Sequence, residues 1–226
     1  MGRRRSAAPR ALGLVCALTA AGALLSGCAT ATSDGTADTG RDDGSAVPSR
    51  AVAASAHTRP SATLTADQQK RKALIPAAKV TYEEALGAAV AAVPKAEPVA
   101  AELKGTPRKP YWETAVTNSD GTAHIVRVDA VSGEAGRPRT ESDDADDKKR
   151  LATRLAKATV TAPQAARTAT RSTDGTVSGV ALGEARNGSD AVAWSVDVVT
   201  RDDWNLTTYE IDAVTGKVLR MHVDQD

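Results

Sequence analysis

The chain has 226 residues, of which 41% are hydrophobic and only 3% are aromatic, with no Phe at all. Its 29 basic and 28 acidic residues give a formal net charge of +1, which excludes the strongly basic surface of a typical nucleic-acid-binding protein. A core without Phe must be built from Val, Leu, Ile and Ala around a few Trp and Tyr, which favours small folded units.

The first 27 residues predict a signal peptide. Four arginines stand within the first ten residues, and an apolar run follows from 11 to 25 that is too short to span a bilayer comfortably. Small residues then precede a cysteine in Leu25-Ser26-Gly27-Cys28. The segment resembles a bacterial lipoprotein signal, which implies cleavage before Cys28, acylation of that cysteine with fatty acids such as palmitate, and an outward-facing membrane anchor. An ordinary secretory signal with a chance cysteine is the alternative.

Cleavage would change both the charge and the cysteine content. The segment 1–27 contains four basic residues and no acidic one, so the formal charge would fall from +1 to −3. Cys16 would be lost with it and Cys28 lipidated, which leaves no pair for a disulfide. Residues 28–63 are rich in Ala, Thr, Ser, Gly and Asp without apolar periodicity, so they predict a disordered tether. Export by the Sec or the Tat route stays open.

Two helices are predicted at the start of a first folded unit, residues 64–140. Thr65 and Gln68 have the spacing of a capping box, which predicts a short helix over 66–74. A second capping box at Thr81–Glu84 begins a helix whose apolar residues recur at helical spacing as far as Val93.

Alternating segments after Pro94 predict strands over 99–103 and 111–117, with a third ending near Asp129. Asp120-Gly121 predicts the hairpin turn between the last two, and Trp112 is the expected core anchor beneath the helix. The residues after Gly133 form a poor strand pattern, so the fourth strand is expected to be short or absent.

Residues 141–158 begin with an acidic run and continue with Lys148-Lys-Arg150. Carboxylates invite a calcium interpretation, but the Asp-x-Asp-x-Asp-Gly spacing of a calcium loop is missing. Acidic residues followed by basic ones suit the dipole of a helix. A charged linker or a short helix is therefore predicted, and no metal site.

A second folded unit spans 159–226. Thr161 and Gln164 form another capping box, and the helix through about Thr170 buries only alanines on its apolar stripe. Asn187-Gly188 is a hairpin signal between the first two strands of this unit. The predicted strands cover 177–182, 192–200, 206–212 and 217–223.

The second unit repeats the first with a period of about 80 residues. Asp129-Ala-Val-Ser-Gly133 matches Asp212-Ala-Val-Thr-Gly216, and Val80-Thr81 matches Val160-Thr161. Trp112 likewise corresponds to Trp194. The predicted fold is α+β: two tandem small repeats, each a helix packed on a short antiparallel sheet. Whether the repeats share one sheet is left open.

This pattern resembles the PepSY domain twice, over about 79–134 and 159–222. The residues that carry the resemblance are the Val-Thr opening of the helix, the Trp-led strand and the Asp-Ala-x-[Ser/Thr]-Gly ending of a later strand. PepSY domains occur in propeptides of secreted metallopeptidases and in exported bacterial proteins, and they are proposed to bind and restrain peptidases. The resemblance implies a non-enzymatic, lipid-anchored, extracytoplasmic binding module whose partner is an exported peptidase or another surface protein.

Two alternatives remain. The tandem design is also similar to the beta-lactamase inhibitor proteins, in which two helix-on-sheet units present a shared concave sheet surface. A ligand-sensing surface lipoprotein is the other alternative.

No catalytic residue, metal site or cofactor is predicted. The sequence has no His-Glu-x-x-His, no Gly-x-Ser-x-Gly and no phosphate loop, and its three histidines are far apart. Asp129 and Asp212 recur before glycine turns, where a carboxylate usually accepts backbone N–H bonds.

Three aromatic residues are the candidates for partner binding. Trp204 lies in the polar loop Arg201-Asp-Asp-Trp-Asn205, which the first repeat does not match, and a rigid ring on such a loop suits either recognition or packing on its own sheet. Tyr111 and Tyr209 are the other aromatics available to line a shared face.

Overall fold

The computed structural model describes residues 63–186 and 191–224. The predicted signal peptide, Cys28, all but the last residue of the predicted tether, and the Asn187-Gly188 turn lie outside the described residues. No helix in the described part is long and apolar enough to cross a membrane.

The described residues form four α-helices, one short 3-10 helix (Ile75–Ala77) directly after the first of them, and eight strands. The first repeat contains α1 (Ala66–Leu74), α2 (Tyr82–Ala92), β1 (Glu97–Thr106), β2 (Lys109–Thr117), β3 (Ala123–Asp129) and the two-residue β4 (Arg139–Thr140). Next along the chain are α3 (Ala145–Lys157), α4 (Ala162–Ser172), β5 (Thr176–Glu184), β6 (Val192–Val199), β7 (Leu206–Asp212) and β8 (Val218–Asp224). The predicted α+β fold with two tandem repeats is confirmed, and the fourth strand of the first repeat is indeed short.

The two repeats share one antiparallel sheet with the order β4-β3-β2-β1-β5-β6-β7-β8. Strand β1 pairs with β5, with Ala100 opposite Ala181 and Glu102 opposite Gly179. The remaining strands follow outward in chain order on both sides. The repeats are therefore related by an approximate two-fold axis between β1 and β5, which makes β4 the counterpart of β8.

Helices α2 and α4 pack on the same face of this sheet, and their N-terminal caps explain where they begin. Thr81 and Thr161 each accept a hydrogen bond from the backbone N–H three residues on, and the side chains of Glu84 and Gln164 in turn accept the backbone N–H of Thr81 and Thr161. Both predicted capping boxes are confirmed. The side chains between helix and sheet form the core, with Trp112 and Trp194 each only 2% exposed.

Helix α4 packs through small side chains. Ala165 and Ala169 are fully buried and Ala166 is 1% exposed. Alanine has high helix propensity and takes little space, so the helix can lie close to β5, β6 and β7 without large apolar residues. The alanine stripe seen in the sequence is the packing face of the helix.

Helix α3 occupies, in the second repeat, the place that α1 occupies in the first. Both begin with a capping side chain, from Thr65 and from Asp144, and both precede the helix that packs on the sheet. Each leading helix contacts a loop of the other repeat. Arg71 Nε of α1 donates to the Trp204 carbonyl oxygen at 2.7 Å, and the backbone of Lys148 in α3 lies against Gly121.

The contact at Gly121 requires glycine for two reasons. Its φ is +84°, and a Cβ there would overlap the carbonyl oxygen of Lys148. The segment 141–158 is thus largely a 13-residue helix, docked on the first repeat.

Candidate binding surface

The face of the sheet opposite α2 and α4, here called the outer face, carries a continuous row of mostly polar residues. Strand pairing places one residue from each of seven strands in this row. From β3 to β8 the row runs Arg127, Glu113, Glu102, Gly179, Asp197, Thr208 and His222. It crosses the junction of the two repeats, so the outer face is one surface.

In the first repeat, two residues of the row, Glu113 and Glu102, form an ionic cluster with the neighbouring Lys104. Its Nζ lies 2.9 Å from Glu113 Oε1 and 3.0 Å from Glu102 Oε2. Burial alone would lower the pKa of Lys104, but the hydrogen bond to Glu113 and the attraction of both carboxylates outweigh it and raise that pKa. Because Glu102 and Glu113 are directly opposite each other on β1 and β2, the lysine offsets their repulsion.

The positive charge of Lys104 also stabilises the buried oxygen of the Glu102 carboxylate, Oε2. Among the described residues, Glu102 Oε2 is shielded from solvent and has no hydrogen-bond donor of suitable geometry. The ion pair with Lys104 is its compensation.

Tyr111 borders this cluster. The guanidinium carbon of Arg127 lies 4.8 Å from the centroid of the Tyr111 ring, a cation–π contact. Arg127 also approaches Glu113 Oε2 at 3.7 Å, and its side chain is 67% exposed. The structure therefore joins Tyr111 to the ionic cluster and leaves its charged neighbour accessible.

The second-repeat part of the row is centred on Asp197. Thr208 Oγ1 donates to Asp197 Oδ1 at 2.6 Å. Burial raises the pKa of the Asp197 carboxyl, the Thr208 bond lowers it, and the negative charge of Glu102 raises it further. Gly179 makes room for this carboxyl, because a Cβ on Gly179 would lie 2.8 Å from Asp197 Oδ2.

A third group of polar contacts on the outer face surrounds Glu210. Glu210 is only 4% exposed and accepts the backbone N–H of Arg186 at 3.1 Å. The guanidinium groups of Arg186 and Arg220 lie 4.0 and 3.7 Å from its Oε1. These residues, with Thr208 and His222, line a depression of about 270 Å³.

This arrangement suits recognition of a charged surface. The accessible groups are guanidinium ends, held by carboxylates that are themselves half-buried or buried, so the pattern of charge is fixed by strand register. Within the described residues, no three His, Cys, Asp or Glu side chains are grouped to hold a metal ion. His124 lies on β3 and His222 on β8, so the two histidines are near opposite edges of the sheet.

Trp204 lies in the β6–β7 loop and is half-buried, with a positive φ of 60°. The next residue, Asn205, accepts a hydrogen bond from Gln68 Nε2 at 2.8 Å. Together with the bond from Arg71, this fixes the loop against α1. The loop is thus part of the contact between the repeats, and Trp204 does not belong to the polar row.

Tyr209 does not lie on the outer face, contrary to the expectation that it lines a shared binding surface. Its side chain is 2% exposed and points toward α4, where its hydroxyl lies 2.6 Å from Thr173 Oγ1. Alternation along β7 explains the difference, since Thr208 and Glu210 take the outer face. Of the three predicted aromatics, only Tyr111 lies on the outer face, where it contacts Arg127 of the row, and Cys28 is outside the described residues.

The two repeated aspartates have the predicted turn role. Asp129 Oδ1 accepts the backbone N–H groups of Val131 and Ser132, and Asp212 Oδ1 accepts those of Val214 and Thr215. These backbone bonds lower the pKa of both carboxyls.

The sequence-based search did not predict any residue of the polar row as a site residue. The available signal was alternation: Glu102 and Lys104 interrupt an apolar pattern on β1, as Asp197 does on β6. The pairing of β1 with β5 brings these distant positions together, and no local pattern predicts that pairing.

The chain is similar to two solved structures and to one family model. No curated protein matches the sequence. A candidate lipoprotein from Clostridium difficile 630, known from its crystal structure, is 20% identical over 65% of this chain and 95% of its own, with a TM-score of 0.42. The YpmB protein from Bacillus subtilis is 19% identical over 62% of this chain and 96% of its own, with a TM-score of 0.27.

The family described as "Peptidase propeptide and YPEB domain" matches residues 79–135 and 159–222, which together are more than half of the chain. These two segments coincide with α2 to the end of the β3 turn and with α4 to β8. The chain is a tandem member of the PepSY family.

Proposed function

We propose that this chain is a non-enzymatic extracytoplasmic binding module, attached to the cytoplasmic membrane through lipid on Cys28, that binds and restrains an exported peptidase through its outer face. The observation that carries the proposal is the outer face, where the half-buried Glu113 lies beside the exposed Arg127 and the buried Glu210 lies beside the exposed Arg186 and Arg220. Family membership supplies the class of partner, because PepSY domains are found in peptidase propeptides.

Membrane attachment rests on the sequence around Cys28 alone. A lipid-modified cysteine would place the folded repeats outside the membrane on a segment of more than thirty residues. Mass spectrometry of the N-terminal peptide of the membrane-extracted protein tests it. An unmodified Cys28, or a retained signal segment, would remove the anchor from the proposal.

The binding proposal is tested by peptidase inhibition. The full chain is added to a panel of purified exported peptidases from the same bacterium, and the inhibition constant is measured. Charge reversal at two exposed outer-face residues, Arg127→Glu and Arg186→Glu, is expected to weaken inhibition about tenfold, as loss of complementary charge at an interface does. Lys70→Glu on α1 is the matched control, since Lys70 is 71% exposed and Arg186 is 65% exposed.

If both charge-reversal variants inhibit as strongly as wild type, the interface does not lie on the outer face. No inhibition and no binding by any peptidase of the panel would overturn the choice of partner.

A further inference from the structure

Strand β8 is an unprotected edge of the sheet. Within the described residues no strand pairs with its far side, whereas the opposite edge is formed by the two-residue β4. Natural edge strands usually avoid pairing by being short, by carrying charged residues or Pro, or by a β-bulge. The seven residues of β8 include neither Pro nor Lys; their protection is limited to Arg220, Asp224 and a shift of register against β7 next to Val218.

Strand β8 exposes apolar side chains beside charged ones, among them Arg220, whose side chain is 47% exposed. Met221 is 56% exposed, Val218 44% and Val223 38%, and these are three of the five exposed large apolar residues in the described chain. Met221 and Val223 stand opposite Tyr209 and Thr207, so they share the helix-side face of the sheet. Arg220, His222 and Asp224 alternate with them on the outer face.

This pattern is complementary to itself. If two copies of β8 pair antiparallel with His222 on the two-fold axis, Arg220 of each copy is opposite Asp224 of the other. Within one chain Arg220 lies 3.7 Å from Glu210 and Asp224 lies 4.0 Å from Arg71, so the contact across the axis would be added to these ion pairs. Met221 is then opposite Val223 of the second copy on the other face. Each of these contacts occurs twice, because a two-fold interface repeats every pair.

Neighbouring registers lack this complementarity. Moving the axis to Met221 places Arg220 opposite His222, and moving it to Arg220 places two guanidinium groups together. A register centred on Val223 places His222 opposite Asp224 but separates Met221 from Val223, so the apolar pair is lost. Opposite charges and apolar pairs across strands stabilise pairing, and like charges oppose it, so the axis at His222 is favoured.

We propose that β8 is a homodimer interface, in which β8 of a second copy adds antiparallel to the edge with His222 on the two-fold axis. The dimer continues the eight-stranded sheet into its copy and puts the two outer faces side by side. A target with two equivalent sites, or two targets on one surface, would then meet a bivalent module. The proposal stands on β8 and does not depend on a peptidase partner.

Cysteine cross-linking in membranes that contain the full chain tests the register. Opposing residues of an antiparallel pair have Cβ atoms about 4.5–5.5 Å apart, close to the separation in a disulfide. Under copper–phenanthroline oxidation, His222→Cys is expected to form a disulfide dimer at least about tenfold faster than Arg220→Cys, since only position 222 meets itself. The parent chain controls for Cys16 and Cys28, and Val131→Cys controls for an exposed site off the edge.

A second variant tests the apolar contact without changing the core. Met221→Lys places a charge on the edge, and it is expected to lower the His222→Cys cross-linking rate about fivefold, from the loss of two cross-strand pairs. Val131→Lys is the matched control, because Val131 is 54% exposed but lies in the turn after β3. Combined with His222→Cys, Val131→Lys should leave the cross-linking rate equal to that of His222→Cys alone.

Sedimentation of the detergent-solubilised full chain provides the independent readout. Wild type should show a concentration-dependent dimer that Met221→Lys shifts toward monomer. A wild-type chain that is monomeric at all concentrations overturns the proposal. Equal cross-linking at 220 and 222, or faster cross-linking at 221, overturns the register.

Discussion

Trp112 Nε1 donates a 2.8 Å hydrogen bond to the carbonyl oxygen of Val80, which lies 32 residues earlier, just before the cap of α2. Trp194 makes the same bond to Val160 at 2.7 Å in the second repeat. In both, the indole ring fills the core under the helix while its N–H fixes the chain entering that helix. The repeated Val-Thr and Trp motifs are therefore two ends of one contact.

Replacing either tryptophan with phenylalanine tests this contact. Trp112→Phe removes the donor from a part-buried hydrogen bond and leaves space where the indole packed, so the free energy of unfolding should fall by about 1–3 kcal/mol. Trp194→Phe should cost a similar amount. Urea unfolding followed by circular dichroism measures both.

Trp204→Phe is the control, since the loop is held through the Trp204 carbonyl oxygen and Asn205, and both survive the change. A loss at Trp204 as large as at Trp112 would contradict the assigned role of the indole N–H.

Gly179 and Gly183 offer a matched pair on one strand and one face. Gly179→Ala would place a Cβ 2.8 Å from Asp197 Oδ2, so the buried carboxyl must shift, and the expected loss of stability is about 1–3 kcal/mol. Gly183→Ala meets nothing within 4 Å, so it should be neutral or slightly stabilising. Chemical denaturation of both variants decides between them.

A double mutant of Gly179 and Asp197 tests the same contact. Asp197→Ala should remove most of the additional cost of Gly179→Ala, because the clashing carboxyl is gone. Fully additive effects would mean that the carboxyl does not occupy the space over Gly179.

Sequence patterns predicted the elements well but not the outer face, and the reason is the range of the interactions. Capping boxes and Trp-led strands act within a helix or between neighbouring segments of one repeat, so their spacing is visible in the sequence. Glu102 and Asp197 are joined through Gly179 only because β1 pairs with β5 in one register. The expectation that Tyr209 lines a binding face failed for a related reason. A shift of one residue in strand register decides whether an aromatic on a half-buried strand faces the core or the solvent.

The pKa of Asp197 predicts an unusual dependence of stability on pH. Burial holds this pKa above the ordinary 3.8, so the folded state binds the proton more tightly than the unfolded chain. Its contribution to stability is then largest below pH 3.8 and falls as the pH rises through the folded-state value. Asp197→Asn, which stays neutral, should therefore gain stability relative to wild type as the pH is raised from 3.5 to 7.

Asp212→Asn is the control with the opposite sign. Its pKa is lowered by backbone hydrogen bonds from Thr215 and Val214, so its contribution is present above pH 3.8 and is lost as the pH falls through the folded-state value. The variant should lose more stability relative to wild type at pH 7 than at pH 3.5. Parallel pH profiles for the two variants, measured by thermal unfolding, would contradict the assigned environments.

The ionic cluster at Lys104 gives the last prediction. Lys104→Met keeps the apolar stem but leaves Glu102 and Glu113 facing each other, so the expected loss is about 1 kcal/mol at low salt. Added salt should reduce the loss, because screening weakens the repulsion between the two carboxylates.

Lys70→Met on α1 is the comparison, since Lys70 pairs with Asp67 in solvent at 2.7 Å with 71% of its side chain exposed. Such a pair contributes little, so its removal should change stability by less than about 0.5 kcal/mol. Combining Lys104→Met with Glu102→Gln should restore most of the loss, since only one carboxylate then remains at the opposed position. If the double variant is no more stable than Lys104→Met, the repulsion between Glu102 and Glu113 is not what the lysine relieves, and its role on the outer face is packing of its stem.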